Sequence, residues 1–119
     1  MTDSFKYLDE RFADIQMLHY RLKGFEALSP QQKAYVYYLS QATLAGRDIT
    51  FDQFCQCNLE IRKIFETIYE YYEGDRKCEA FEALVVYLKR LWFSNGIHHP
   101  YGMDKFQPNF SPAYFHEVL

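Results

Sequence analysis

Residues 50–74 read TFDQFCQCNLEIRKIFETIYEYYEG. Phe54, Cys57, Ile61, Ile64, Phe65, Ile68 and Tyr72 recur at steps of three, four and seven, the spacing that lines one face of an α-helix. Thr50 with Gln53 three residues on makes a capping box, and Gly74 supplies the stop. The stretch predicts one continuous amphipathic helix, and with it a mainly α chain.

The same pattern lies on both sides. Upstream, residues 28–46, LSPQQKAYVYYLSQATLAG, have Ser29 as N-cap, Pro30 at the first helical position and Gln32 to complete a capping box. Tyr35, Tyr38, Leu39 and Ala42 are the expected buried face, and Gly46 the expected left-handed cap. Downstream, residues 75–96, DRKCEAFEALVVYLKRLWFSNG, predict a helix with Asp75 as N-cap and Asn95-Gly96 as its end. Its core face is Phe81, Leu84, Val85, Leu88, Leu91 and Trp92. A fourth helix begins at Ser111 and Pro112 and runs about two turns to the last residue, Leu119. So short a terminal helix is marginal alone, which reads as a piece of a larger protein.

Residues 3–22 fit two patterns. Phe12, Ile15, Leu18 and Leu22 make a helical stripe, whereas Ile15, Met17 and His19 alternate as in a strand. A short extended segment is the expectation there. Residues 1–119 are therefore read as a single helical unit, three to four amphipathic helices packed as a small helical domain.

A chain of 119 residues can bury roughly two thirds of its unfolded surface, enough for a core. Eleven Tyr, eleven Phe and one Trp are a heavy aromatic load, available to a thick core or to a partner surface. A net charge of −3, with basic clusters no longer than Arg76-Lys77 and Lys89-Arg90, sets nucleic-acid binding aside. No apolar run reaches the roughly 20 residues that span a bilayer, and MTDSFKYLDE is not a secretory signal. Three cysteines without framework spacing fit free, mostly buried thiols in a reducing, cytoplasmic setting.

Candidate chemistry is sparse. His116-Glu117 opens an H-E-x-x-H pattern, the spacing that puts two imidazoles of a zinc peptidase on one helical face, but no second histidine follows. Cys55 and Cys57, two apart on a helix, point to different sides. Cys78 sits at a helix start without an assignable histidine partner. Glu66, Glu70 and Glu73 read as a solvated face. Residues 92–106, WFSNGIHHPYGMDKF, are different. His98 and His99 follow a helix end in a loop with Pro100, Tyr101 and Gly102, where imidazole and phenol can hydrogen-bond a peptide-like ligand and glycine permits close approach. Adjacent histidines do not easily share a metal, so two readings stand: a structural loop or a ligand contact.

Two stretches resemble the N-terminal region of the dipeptidyl-peptidase III family, closest to its bacterial branch. Residues 25–46, FEALSPQQKAYVYYLSQATLAG, have Phe25, Leu28, Ser29, Pro30, Tyr37, Leu39, Ser40, Ala42 and Gly46 in matching order. Residues 86–111, VYLKRLWFSNGIHHPYGMDKFQPNFS, have Ser94-Asn95, Tyr101-Gly102, Lys105-Phe106 and Pro108. ERFADIQMLHYRL, residues 10–22, also looks like the bacterial members.

The resemblance implies a zinc-dependent enzyme of two lobes that removes dipeptides from the N-termini of short peptides. Its zinc is held by an H-E-x-x-G-H motif that this chain lacks. The chain would be a lower-lobe segment, inactive alone, with no cofactor of its own and the rest of the parent peptidase as partner. The family places an aromatic residue of this loop at the substrate pocket, a role carried to Tyr101 with Gly102. His98 and His99 lie where the family's loop varies. The residues alone leave a competing reading: a free-standing helical interaction module with a tyrosine-rich face at Tyr69, Tyr71 and Tyr72. As a fragment, its exposed aromatics that normally meet the other part of the enzyme could drive self-association.

Overall fold

A computed structural model describes residues 5–119, and the protein is mainly α, as its sequence pattern predicts. Asp3 and Ser4 of the 3–22 stretch, with the first residues of MTDSFKYLDE, lie outside the described residues. The chain groups into two compact units, Met1–Gly46 and Arg47–Leu119.

In the first unit the ambiguous N-terminal stretch is a hairpin. Strands β1 (Leu8–Phe12) and β2 (Ile15–Leu18) pair antiparallel, with Leu8 opposite Leu18, Phe12 opposite Ile15 and a bulge between Leu8 and Arg11. Ala13 turns the chain at φ 50°, a left-handed conformation uncommon outside glycine and asparagine. An Ala-Asp tip lacks the Asn-Gly signature of such turns, so the hairpin was not legible. A 3₁₀ turn at Phe25–Ala27 leads into helix α1 (Pro30–Ala45). Its capping box forms as the sequence predicts: the Gln32 amide donates to Ser29 Oγ at 3.2 Å, and the Ser29 amide to Gln32 Oε1 at 2.9 Å.

The expected buried face of α1 is corrected. Every residue of the helix except Lys33 is exposed, with Tyr35 and Tyr38 at 66% and 69%. Residues 34–39, AYVYYL, are apolar around more than a full turn, so they define no single stripe to bury. Gly46 ends the helix at φ −82°, not in the left-handed region.

In the second unit the predicted continuous helix of residues 50–74 is two helices, α2 (Arg47–Phe54) and α3 (Asn58–Tyr71). The reason lies in side chains that a straight helix would hold apart. Phe51 and Arg62 would be about 16 Å apart along one helix axis. Here the Arg62 guanidinium lies 4.6 Å from the Phe51 ring centroid, and its Nη2 donates to Asp48 Oδ1 at 2.7 Å. The chain therefore breaks at 55–57 and folds α2 back along α3. Thr50 is inside α2 rather than a cap, and Cys57, expected in the core, is exposed.

Helix α4 (Glu79–Ser94) follows, then α5 (Pro112–Val118) with Ser111 Oγ accepting the Tyr114 amide, as expected. Cys78, not Asp75, caps α4: its Sγ accepts from the Phe81 amide at 3.4 Å. Asp75 serves the preceding turn, accepting from the Lys77 amide at 2.9 Å. The core joins Phe65 and Ile68 of α3, Leu84, Leu88 and Leu91 of α4, and Val118 of α5. Phe115 stacks on Phe65 with ring centroids 5.2 Å apart, and Phe110 leans on both. The aromatic load thus splits: part thickens this core, and part is exposed in the first unit.

Candidate functional site

Helix α4 ends on the sequence Ser94-Asn95-Gly96. Asn95 is left-handed at φ 54° and Gly96 stands at φ 153°. The amides of both donate to Leu91 O, a closure typical of a glycine-terminated helix. Gly96 has a second reason to be glycine. A Cβ there would lie 2.1 Å from Asn58 Nδ2. Asn58, at the start of α3 and 1% exposed, uses both ends of its amide on this turn. Its Oδ1 accepts from the Ile97 amide at 3.2 Å, and its Nδ2 donates to Asn95 O at 3.4 Å. A buried polar side chain is thereby satisfied, and the segment leaving α4 is pinned to α3.

From that anchor the histidine loop proves to be a small hairpin. The Phe106 amide donates to Ile97 O at 2.8 Å, His98 bridges antiparallel to Lys105, and the His99 amide donates to Asp104 O at 2.9 Å. His99-Pro100-Tyr101-Gly102 forms the tip turn, closed by Gly102 N–H to His99 O at 3.2 Å. Proline at the second place and glycine at the fourth suit a β-turn, a signal present in the sequence. Inside the turn the Tyr101 amide donates to His99 Nδ1 at 3.2 Å.

The sequence-predicted site residues come together here. His98, His99, Pro100, Tyr101, Gly102 and Met103 line a cavity of about 330 Å³ with Phe54 of α2. Phe54 was expected to be core on the α3 stripe, yet it is 58% exposed. The break between α2 and α3 turns it to this loop, which no local pattern could signal. Tyr101 is 96% exposed and Met103 89%. Gly102 needs no special backbone: a Cβ would meet Asp104 Oδ2 at 3.7 Å and His99 Nδ1 at 3.8 Å, ordinary contacts.

A second hollow, about 570 Å³, opens against the core between Ile61, Ile64, Phe65, Tyr87, Phe110 and Phe115. Gln107 is its one amide, and its phenol, Tyr87, is raised above its ordinary pKa by burial. It offers shape and apolar area but no charged group to orient a ligand.

The remaining candidates disperse. Among the described residues no three His, Cys, Asp or Glu side chains come together as a group that could hold a metal ion. His116 and Glu117 lie exposed on α5. Cys55 is half-buried, and Cys78 faces the Tyr114 hydroxyl at 3.6 Å. Burial first, then hydrogen bonds to Cys78 and Tyr72, push the Tyr114 phenol well above its ordinary pKa. Glu66 is half-buried rather than fully solvated: it accepts from Trp92 Nε1 at 2.7 Å and faces Arg62 Nε at 3.3 Å. No family model matches this chain, and no curated protein matches it.

Proposed function

We propose that this chain is an N-terminal, lower-lobe segment of a zinc-dependent dipeptidyl peptidase of the dipeptidyl-peptidase III type. On this reading it contributes scaffold and one wall of a peptide cleft, and is inactive alone. The observation that supports it is the anchored hairpin. Asn58 and Gly96 hold its base, and Tyr101 stands almost wholly in solvent at its tip beside His98, His99 and Gly102. A hydrogen-bonded base with an exposed aromatic and hydrogen-bonding groups suits the backbone and side chains of a short peptide. The zinc of such an enzyme would supply the Lewis acid that activates water. Its ligands would lie in polypeptide other than the residues described.

The test has two arms. The purified chain should release no dipeptide from a dipeptidyl-naphthylamide. Titration with a tetrapeptide should shift the amide resonances of residues 98–103, and Tyr101→Ala should abolish those shifts. Unchanged resonances in the wild-type chain would end the cleft reading.

A second reading, a helical interaction module, draws on the exposed tyrosines. Tyr69 and Tyr71 are 40% and 70% exposed, although Tyr72 turns inward and stacks on Phe81. Saturable binding of a protein partner that Tyr71→Ala abolishes, with no peptide effect at residues 98–103, would favour it.

A further inference from the structure

The hydrogen bond inside the tip turn carries chemical information. Nδ1 of His99 accepts the Tyr101 amide proton. An imidazole nitrogen accepts only when it bears no proton, and a neutral ring has one bare nitrogen. The bond therefore requires neutral His99 with its proton on Nε2. The geometry is that of an Asx turn, in which an Asp or Asn oxygen accepts the amide two residues on. Here a titratable ring stands in for that oxygen. Histidine is the side chain whose charge changes between about pH 5 and 8.

We propose that His99 is a proton-operated latch on the hairpin tip. Neutral, it holds the 99–102 turn and so positions Tyr101; protonated, it loses its acceptor and releases that amide. His99 is thus a positioning residue for Tyr101. The sign follows from the bond: the closed tip belongs to the high side of the titration and is lost as pH falls. The base of the hairpin is built from backbone bonds and from Asn58, none of which titrates in this range. Acid therefore loosens the tip and leaves the base in place.

The charged surroundings are few. Asp104 on the return strand brings Oδ2 to the same side of Gly102 as His99 Nδ1. His98 and Lys105 stand opposite each other across the backbone bridge at the base. From α4, Arg90 reaches the Phe106 ring, which lies edge-on to His99 at 6.3 Å. From α2, Phe54 brings no charge. The consequence for ligand binding rests on the peptide-cleft reading above: with the tip closed, Nε2–H is a hydrogen-bond donor beside Tyr101, suited to a carbonyl oxygen.

The experiment is nuclear magnetic resonance on the ¹⁵N-labelled chain, titrated from about pH 8 to about pH 5. Long-range imidazole spectra should show the Nε2–H tautomer of His99 at the high end. The Tyr101 amide should then move along the His99 titration curve while the Phe106 amide stays still. His99→Asn, whose Oδ1 can replace Nδ1 without titrating, should keep the bond and flatten the profile. His99→Ala should show at pH 8 the Tyr101 shift that the wild type reaches at pH 5. His98→Gln should leave the Tyr101 curve unchanged. An Nδ1–H tautomer would overturn the latch. So would a Tyr101 amide indifferent to His99, or a Phe106 amide moving with the same midpoint. Peptide plays no part in these readouts. A latch that works in a chain blind to peptide would stand while the cleft reading fell.

Discussion

Gly96 is the residue on which the hairpin turns. It combines a positive φ with a space that Asn58 fills, so Gly96→Ala meets two penalties: backbone strain and overpacking. The expected loss is about 3 kcal/mol, read as a lower urea midpoint with unchanged slope. Asn58→Ala leaves the Ile97 amide and the Asn95 carbonyl without their partner, which costs about 2–3 kcal/mol. The two changes should not add. Removing the Asn58 side chain removes the atoms a Cβ at 96 would strike, so the double variant should lose clearly less than the sum. Additive losses would show that the clash is relieved by movement elsewhere. At Tyr101, by contrast, alanine should leave stability within about 0.5 kcal/mol, because the side chain is almost wholly in water.

At the scale of elements, the break between α2 and α3 tests what holds a helix end in place. Arg62 is buried along its stem, while Asp48 and Glu66 keep contact with water. Losing the charge lets both carboxylates resolvate, so Arg62→Met should cost only about 1 kcal/mol. Arg62→Ala also removes the stem that packs on Phe51, and should cost about 2–3 kcal/mol. Urea unfolding of the pair separates packing from charge. A methionine variant as damaged as the alanine one would give the ion pair the larger share. The α4–α5 contact has its own signature. Tyr114 is held neutral by burial and by Cys78 and Tyr72. Its folded pKa stands above the unfolded value near 10, so its contribution is complete below about pH 10 and is lost as pH rises further. Tyr114→Phe should therefore lose less stability than the wild type over that alkaline range, measured by urea melts at stepped pH.

On the scale of the whole molecule, the two units differ in what protects them. The second has a cluster of Leu84, Leu88 and Leu91, each at 1% exposure or less, packed with Phe65. In α1 no residue is buried. Amide exchange should divide accordingly, with strong protection in α3 and α4 and weak protection in α1. Comparable protection in both would mean that α1 is covered in solution. The exposed tyrosines of α1 also lead us to expect concentration-dependent association, which sedimentation velocity would detect and Tyr35→Ser with Tyr38→Ser would weaken.

The sequence by itself determined what depends on neighbours along the chain. The Ser29 and Ser111 caps, the helix end at Asn95-Gly96, the mainly α class and the Leu84–Leu88–Leu91 face are all functions of spacing within a few residues. The loop of His98, His99, Tyr101 and Gly102 was also legible as an unusual segment, and its His-Pro-Tyr-Gly turn had a readable signature. Only the tertiary structure decided the rest. Asn58 and Arg62 lie on the buried face of α3, where a hydrophobic pattern skips them, because their partners are 37 and 14 residues away. The break at 55–57, the turning of Phe54 to the hairpin and the exposure of α1 follow from such distant pairings or from their lack. Periodicity says which residues share a face. It does not say whether another surface arrives to cover that face, because that depends on contacts whose energies are settled between elements.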